Sequence, residues 1–288
     1  DNFCKVIGGS VGGGIVGLLT ASYDASSESS ADNTSGITSC VNFGHIYGSY
    51  PDDSGFVGGI AGMIEGYVTT FACYNLGNIT CQNGPSGGIV GFLNGVAMIA
   101  SVYNIGSPDN AASFGEIAGF IPGNAAIVNS YYVDRGYGGF YLNKSTFEHD
   151  IYYAEDISLL KEREFVDRLN KDGKYFIFDE FGINSGFPLL SWEVVPVTGV
   201  QLDCTSLELT VGSSAQVTAV VFPENATVAD VAWISDNPSV ATVINGNVTA
   251  VKAGTATITA TTVDGSKKAS CKVTVRNKVP KFIDVKDG

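Results

Sequence analysis

Lysine and arginine are missing from the whole stretch between Val6 and Asp134, and the chain of 288 residues carries 16 basic against 29 acidic side chains, a net charge of −13. A surface of that sign repels phosphate backbones and acidic membranes, so nucleic acid is a poor partner. A lyase acting on an acidic polymer would want cations in its groove, and this stretch supplies none. Histidine is almost absent as well. His45 and His149 stand far apart, and neither an H-E-x-x-H motif nor paired C-x-x-C spacing occurs. No apolar run approaches the length of a membrane-spanning helix, and no signal peptide is visible. The chain starts inside a repeat-like block, Cys4-Lys5-Val6-Ile7-Gly8. A trimmed amino terminus and a secretion signal upstream are the expectation.

What is abundant is glycine, 36 residues of it, and it is periodic. Gly13-Gly14-Ile15-Val16-Gly17 recurs as Gly58-Gly59-Ile60-Ala61-Gly62, Gly87-Gly88-Ile89-Val90-Gly91 and Gly115-Glu116-Ile117-Ala118-Gly119. A second block follows each copy: Cys40-Val41-Asn42-Phe43-Gly44, Cys73-Tyr74-Asn75-Leu76-Gly77, Val102-Tyr103-Asn104-Ile105-Gly106, and a decayed Ser130-Tyr131-Tyr132-Val133. From Gly59, Gly88 and Glu116 to the following block the step is 14 residues, whereas from Gly14 to Cys40 it is 26. The surplus falls in the Thr20–Gly36 stretch, which reads as a loop.

Apolar positions in these repeats form short β-branched runs cut by Gly, Asn and Asp, which argues strands and not helices. A unit of 28 to 29 residues cannot bury its apolar face alone, but stacked units bury a continuous core. Glycine at fixed places suits corners that need positive φ or close backbone approach. Asn42, Asn75 and Asn104 fall in one column, where stacked side chains can bond from repeat to repeat or serve as ordinary turn residues. G-G-I-x-G followed by C-Y-N-x-G resembles the GLUG repeat of bacterial surface and secreted proteins over about residues 1–134. The fold class this implies is all-β: a right-handed β-helix-like solenoid with a small helical cap, followed by an Ig-like β-sandwich.

The cap is expected over 140–194. Ser158 is placed to cap a helix whose apolar face is Leu159, Leu160, Phe165, Val166 and Leu169, and that helix would lie across exposed strand edges. Phe176, Phe178, Phe181, Phe187 and Trp192 are its expected core, and Glu164–Asn170 with Gly182–Trp192 resemble the segment that closes GLUG arrays. Beyond Pro196 the sequence turns to Thr, Val and Ala in two-residue alternation, as in Thr255–Ala260 and Cys271–Val275, which argues a β-sandwich. Trp233-x-Ser235-x-Asn237 with Val240-Ala241, and Gly246-x-Val248-x-Ala250 with Gly254-x-Ala256-x-Ile258, resemble the bacterial immunoglobulin-like group 2 family. The domain layout is therefore 1–139 solenoid, 140–194 cap, 195–277 Ig-like sandwich, and 278–288 linker or start of an anchor. Phe282-Ile283-Asp284-Val285 resembles the opening of an S-layer homology domain, which grips cell-wall polymer; an unstructured tail is the alternative.

Candidate sites are few. Tyr74, Tyr103 and Tyr131 recur one residue after the column position and are expected as an outward or lateral aromatic ladder, able to stack on a partner or simply to shield strand edges. Asp52-Asp53-Ser54-Gly55 and Asp109-Asn110 offer oxygen ligands to calcium, but without full loop spacing. His149-Asp150 with Glu155-Asp156 reads as cap surface, not as an acid/base pair, and His45 is expected to face solvent. Cys4, Cys40 and Cys73 share one column as buried thiols, while Cys204 and Cys271 sit in opening and closing strands of the sandwich, bridged or free. A glycosidase needs two converging carboxylates, and acidic residues in the repeats are scattered. No catalytic residue, cofactor or metal is assigned. The reading is a non-enzymatic, extracellular bacterial cell-surface or cell-wall module that binds a host protein or glycan. A structural spacer, and a carbohydrate-active β-helix enzyme, are the alternatives.

Overall fold

The computed structural model describes residues 6–8, 11–21, 35–49, 55–109, 113–143, 149–171 and 173–279. Cys4, Asp52, Asp53, Asn110 and residues 22–34 and 280–288 lie outside the described residues, and with them the core of the Thr20–Gly36 loop, both calcium-ligand runs in part, and the anchor-like tail. The chain divides into two compact units, Asp1–Ser191 and Trp192–Gly288. Both are β. Among the described residues the helical structure is one α-helix, α1 at Arg163–Leu169, with short 3-10 turns at Ile157–Lys161 and Ser191–Glu193.

In the first unit every strand of the repeats pairs in parallel with its counterpart one repeat away. Val11–Gly13, Phe56–Gly58, Ser86–Gly87 and Phe114–Gly115 form one ladder, in which Gly13, Gly58, Gly87 and Gly115 stand opposite one another. A second ladder runs through Val41–Asn42, Tyr74–Asn75, Tyr103–Asn104, Ser130–Val133 and Ile151–Ala154. Val16–Ala21, Ala61–Gly66, Val90–Asn94, Ala118–Ile121 and Phe140–Asn143 make a third. The ladders thus continue past residue 139, into Phe140–Asn143 and Ile151–Ala154.

Close approach, and not positive φ, is what the motif glycines supply. A Cβ on Gly58 would lie 2.0 Å from the Ala61 carbonyl oxygen and 2.7 Å from the Gly91 nitrogen. The left-handed corner of each repeat is taken instead by Ser39, Ala72, Ser101 and Asn129, with φ between 48° and 52°. Side chains between these corners alternate, so one set points inward. Ile60, Ile89 and Ile117, then Ile64, Leu93 and Ile121, fill the core with no exposed surface. Each such burial contributes about 2 kcal/mol.

The helical segment sits elsewhere than expected. Phe165 of α1 packs edge-on against the rings of Tyr103 and Tyr131, at 5.7 and 5.1 Å, so the helix covers the flank of the second ladder, not the end of the array. The physical reason is the tyrosine face itself, an apolar surface that the helix buries. Asp156, and not Ser158, is the capping residue: its carboxylate accepts from the Ser158 N–H at 2.8 Å. Extended backbone at Glu162 then separates the 3-10 turn from α1. Leu160, Phe165, Val166, Leu169, Phe176 and Phe187 are buried, whereas Leu159, Phe181 and Trp192 are exposed and do not belong to the expected core.

The second unit has a four-stranded sheet in the order Ser206–Thr210, Lys268–Arg276, Gly254–Thr262, Val231–Ser235. A three-stranded sheet joins Ser214–Gln216, Asn247–Ala250 and Ala241–Ile244. Inward residues alternate along the strands, and Val217, Val248, Ile258, Ala260, Cys271 and Val273 make the core, as two-residue periodicity requires.

One inward position of the first unit breaks the aliphatic pattern. Thr70 is paired with Ile37 on one side and Ile99 on the other. It is fully buried, and its hydroxyl finds no hydrogen-bond partner. Thr70→Val, which keeps the shape and removes the unsatisfied group, should raise unfolding stability by about 1 kcal/mol. Denaturant titration against the parent chain is the check, and a loss of stability would contradict the assignment.

Candidate functional site

A continuous row of side-chain hydrogen bonds runs along the second ladder. Asn42 donates its side-chain amide to Oδ1 of Asn75 at 2.7 Å, and Asn75 donates to Oδ1 of Asn104 at 2.8 Å. The other amide proton of each goes to a carbonyl two residues on: Gly44 at 2.9 Å, Gly77 at 2.9 Å and Gly106 at 3.1 Å. Both motif glycine positions make room for this ladder. A Cβ on Gly59 would lie 2.5 Å from Cγ of Asn75, and one on Gly106 would lie 2.4 Å from its Nδ2.

The ladder ends at Glu116, where the repeat loses its second glycine. Asn104 donates to Oε2 of Glu116 at 3.1 Å, so the carboxylate takes the place of a further asparagine. Arg135, the first basic side chain after Lys5, reaches back to the same oxygen at 2.9 Å and donates to the carbonyl of Ile105 at 2.6 Å. Glu116 has no exposed surface, and its Oε1 has no partner. Burial pushes its pKa up to about 7 against the pull of Arg135. The sequence shows Glu116 where the other repeats carry a second glycine, but not the pairing. The signal was the coincidence of the lost glycine with the first arginine.

Tyr74, Tyr103 and Tyr131 do share one register, but they face inward under the helical segment. Tyr74 and Tyr103 have no exposed surface and stack at 4.7 Å with planes 5° apart. Their hydroxyls are engaged: Tyr103 donates to the Pro188 carbonyl, and the Asn184 amide donates to Tyr74. Tyr131 is 7% exposed and donates to Asn129. Of the outward and lateral arrangements open to the row, the rings take a lateral one that shields the strands, and they are consumed in holding the helix in place.

The remaining candidates scatter. His45 is exposed, with Nε2 2.7 Å from the Thr80 hydroxyl and 3.6 Å from Asp109. His149 accepts from the Ile127 N–H through Nδ1 and lies against the ring of Phe140, with its pKa lowered by burial. Among the described residues no group of three or more His, Cys, Asp and Glu converges as a metal site. Cys40, Cys73, Cys81, Cys204 and Cys271 are free thiols, Cys40 and Cys204 only half-buried. A hydrogen bond from Cys73 holds the Cys40 thiol down at about 7, and burial pushes Cys81 up to about 11. Cys204 and Cys271 bring their sulfurs to 3.1 Å, a thiol hydrogen bond with no disulfide. Among the described residues no helix is long and apolar enough to cross a membrane.

The second unit carries the comparison that decides most. Residues 196–273 match the bacterial Ig-like domain (group 2) family. A 98-residue match at 42% identity joins this chain to an alpha-L-arabinofuranosidase of Bifidobacterium longum subsp. longum, covering 34% of this chain and 9% of that protein. An Ig-like virion protein of Serratia phage KSP90 is 42% identical over 84 residues, 28% of this chain and 33% of that one. The chain thus spans a third or less of the length of these curated relatives. Among solved structures, domains 5–6 of the S-layer protein SbsC align at 25% identity with a TM-score of 0.25, over 30% of this chain and 47% of that chain.

Glu116 gives the first unit a pH signature. Its pKa is higher in the folded chain, about 7 against an ordinary 4.5, so between those values the folded state holds more of the proton. Stability therefore falls as pH rises through that window, and the cost of the buried charge is complete above about 7. Glu116→Gln keeps an acceptor for Asn104 and removes the charge. Relative to the parent, the variant should gain on the order of 2 kcal/mol between pH 4.5 and pH 7.5, read from denaturant midpoints. Parallel pH profiles for the two proteins would refute the shift.

Proposed function

We propose that this chain is a non-enzymatic module of the bacterial cell surface or cell wall. In this reading residues 1–139 wind as a right-handed GLUG-type β-solenoid, 140–194 buttress it, 195–277 are an Ig-like stalk, and 278–288 lead towards a wall anchor. The observation that carries the reading is the parallel, in-register pairing of every repeat, with glycine over glycine at 13, 58, 87 and 115. Parallel strands joined by crossovers are almost always right-handed, which favours that winding. The Ig-like match in the second unit supports a surface or structural role. The arabinofuranosidase likeness spans only 9% of that enzyme, so it lends no catalytic assignment.

The mechanism is mechanical. A stack whose repeats share continuous ladders is stiff along its length, and a stalk sets its distance from the wall. An acidic, repeated surface without a basic residue between Val6 and Asp134 is then presented to a host protein or glycan. The full chain should bind mucin-coated surfaces or features of a glycan array saturably, and should release no reducing sugar from any polysaccharide. Binding to none of these would leave the spacer reading in place. Turnover of a polysaccharide would overturn the non-enzymatic one.

A further inference from the structure

The tyrosine column does not stop at Tyr131. Ile151–Ala154 adds a further strand in parallel to Ser130–Val133, and Tyr152 falls in register with Tyr131. The two rings stack at 5.1 Å with planes 20° apart. Here the burial ends: Tyr152 is 42% exposed and its neighbour Tyr153 is 57% exposed. Ile151–Ala154 is the last strand of its sheet, and among the described residues its outer edge pairs with nothing. A groove of about 330 Å³ runs beside it, walled by Tyr131, Tyr152, Leu159, Phe165 and Arg168.

We propose that this groove and strand edge form a docking site for an extended polypeptide segment bearing an aromatic side chain, which adds as one more parallel strand and lays its ring on Tyr152. The ladder itself specifies the occupant. At two earlier steps the incoming strand donates backbone N–H groups to the one before: Tyr74 to the Cys40 carbonyl, Tyr103 to that of Cys73, Leu76 to that of Asn42 and Ile105 to that of Asn75, at 2.9–3.2 Å. At two steps it also stacks a tyrosine on the previous ring, in the pairs Tyr74–Tyr103 and Tyr131–Tyr152. An edge with the same backbone and a half-open ring is complementary to that chemistry. A sugar could cover the ring, but it would leave the evenly spaced backbone groups unmatched. The inference stands on the geometry of the first unit and does not depend on cellular location.

The probe is a fluorescein-labelled peptide of this chain's own residues 127–134, Ile-Val-Asn-Ser-Tyr-Tyr-Val-Asp, titrated with the full chain by fluorescence anisotropy. Saturable binding is expected, with slowed amide exchange across residues 151–154. Tyr152→Ser, an exposed position, should weaken binding roughly three- to tenfold. Independently of any protein variant, the peptide carrying Val133→Pro keeps both tyrosines but loses a ladder donor, and it should bind at least tenfold more weakly. Absence of binding at millimolar peptide, or indifference to both substitutions, overturns the proposal. So does full competition by cellohexaose, which would assign the groove to a glycan.

Discussion

A buried chain of side-chain amides sets the register of the first unit. Asn42, Asn75 and Asn104 each use both amide protons, one towards the next repeat and one towards a nearby carbonyl. In a low-dielectric interior a satisfied polar network holds its geometry, and a partly satisfied one is costly. A slip of one residue would strand every member at once. The glycines follow from this: Gly59 and Gly106 are small because an asparagine occupies the space a Cβ would need. The ladder must also end somewhere, and it ends on Glu116 and Arg135. A carboxylate there accepts what a fourth asparagine would have accepted, and the first arginine of the array compensates its charge.

The second determinant is aromatic. Tyr74, Tyr103 and Tyr131 create a flank too apolar to leave in water, and the segment after the repeats supplies Phe165, Phe176 and Leu190 to cover it. The helix is accordingly a buttress along the array. Coverage becomes partial at Tyr152, which lines an open groove beside Phe165 and Arg168 of α1 and stays 42% exposed. The same column thus carries both the buried stack and, at Ile151–Ala154, a half-exposed terminal strand.

Much of this was legible in the sequence, because a repeat writes each contact several times. The 28 to 29-residue spacing gave the in-register stacking, and the asparagine column left cross-repeat hydrogen bonds and ordinary turn roles both open. Two-residue alternation in residues 254–276 marked the sandwich. The direction in which the tyrosines face was not legible, since strand periodicity says which residues share a face but not what covers it. Nor was the αL corner: Ser39, Ala72, Ser101 and Asn129 share no side-chain chemistry that would betray it. Arg135 escaped notice because its partner lies 19 residues earlier, a link made only by stacking. Tyr152 escaped because its strand departs from the repeat length.

The central claim is that the asparagines act as one unit. A double-mutant cycle on Asn75→Ala and Asn104→Ala, read from denaturant unfolding of the full chain, tests it most directly. Each single change should destabilise by about 1–3 kcal/mol, and the double variant should lose less than the sum by about 1 kcal/mol or more, because either change already breaks the shared bond. Additivity within about 0.3 kcal/mol would mean that the amides contribute separately and that the ladder does not set the register.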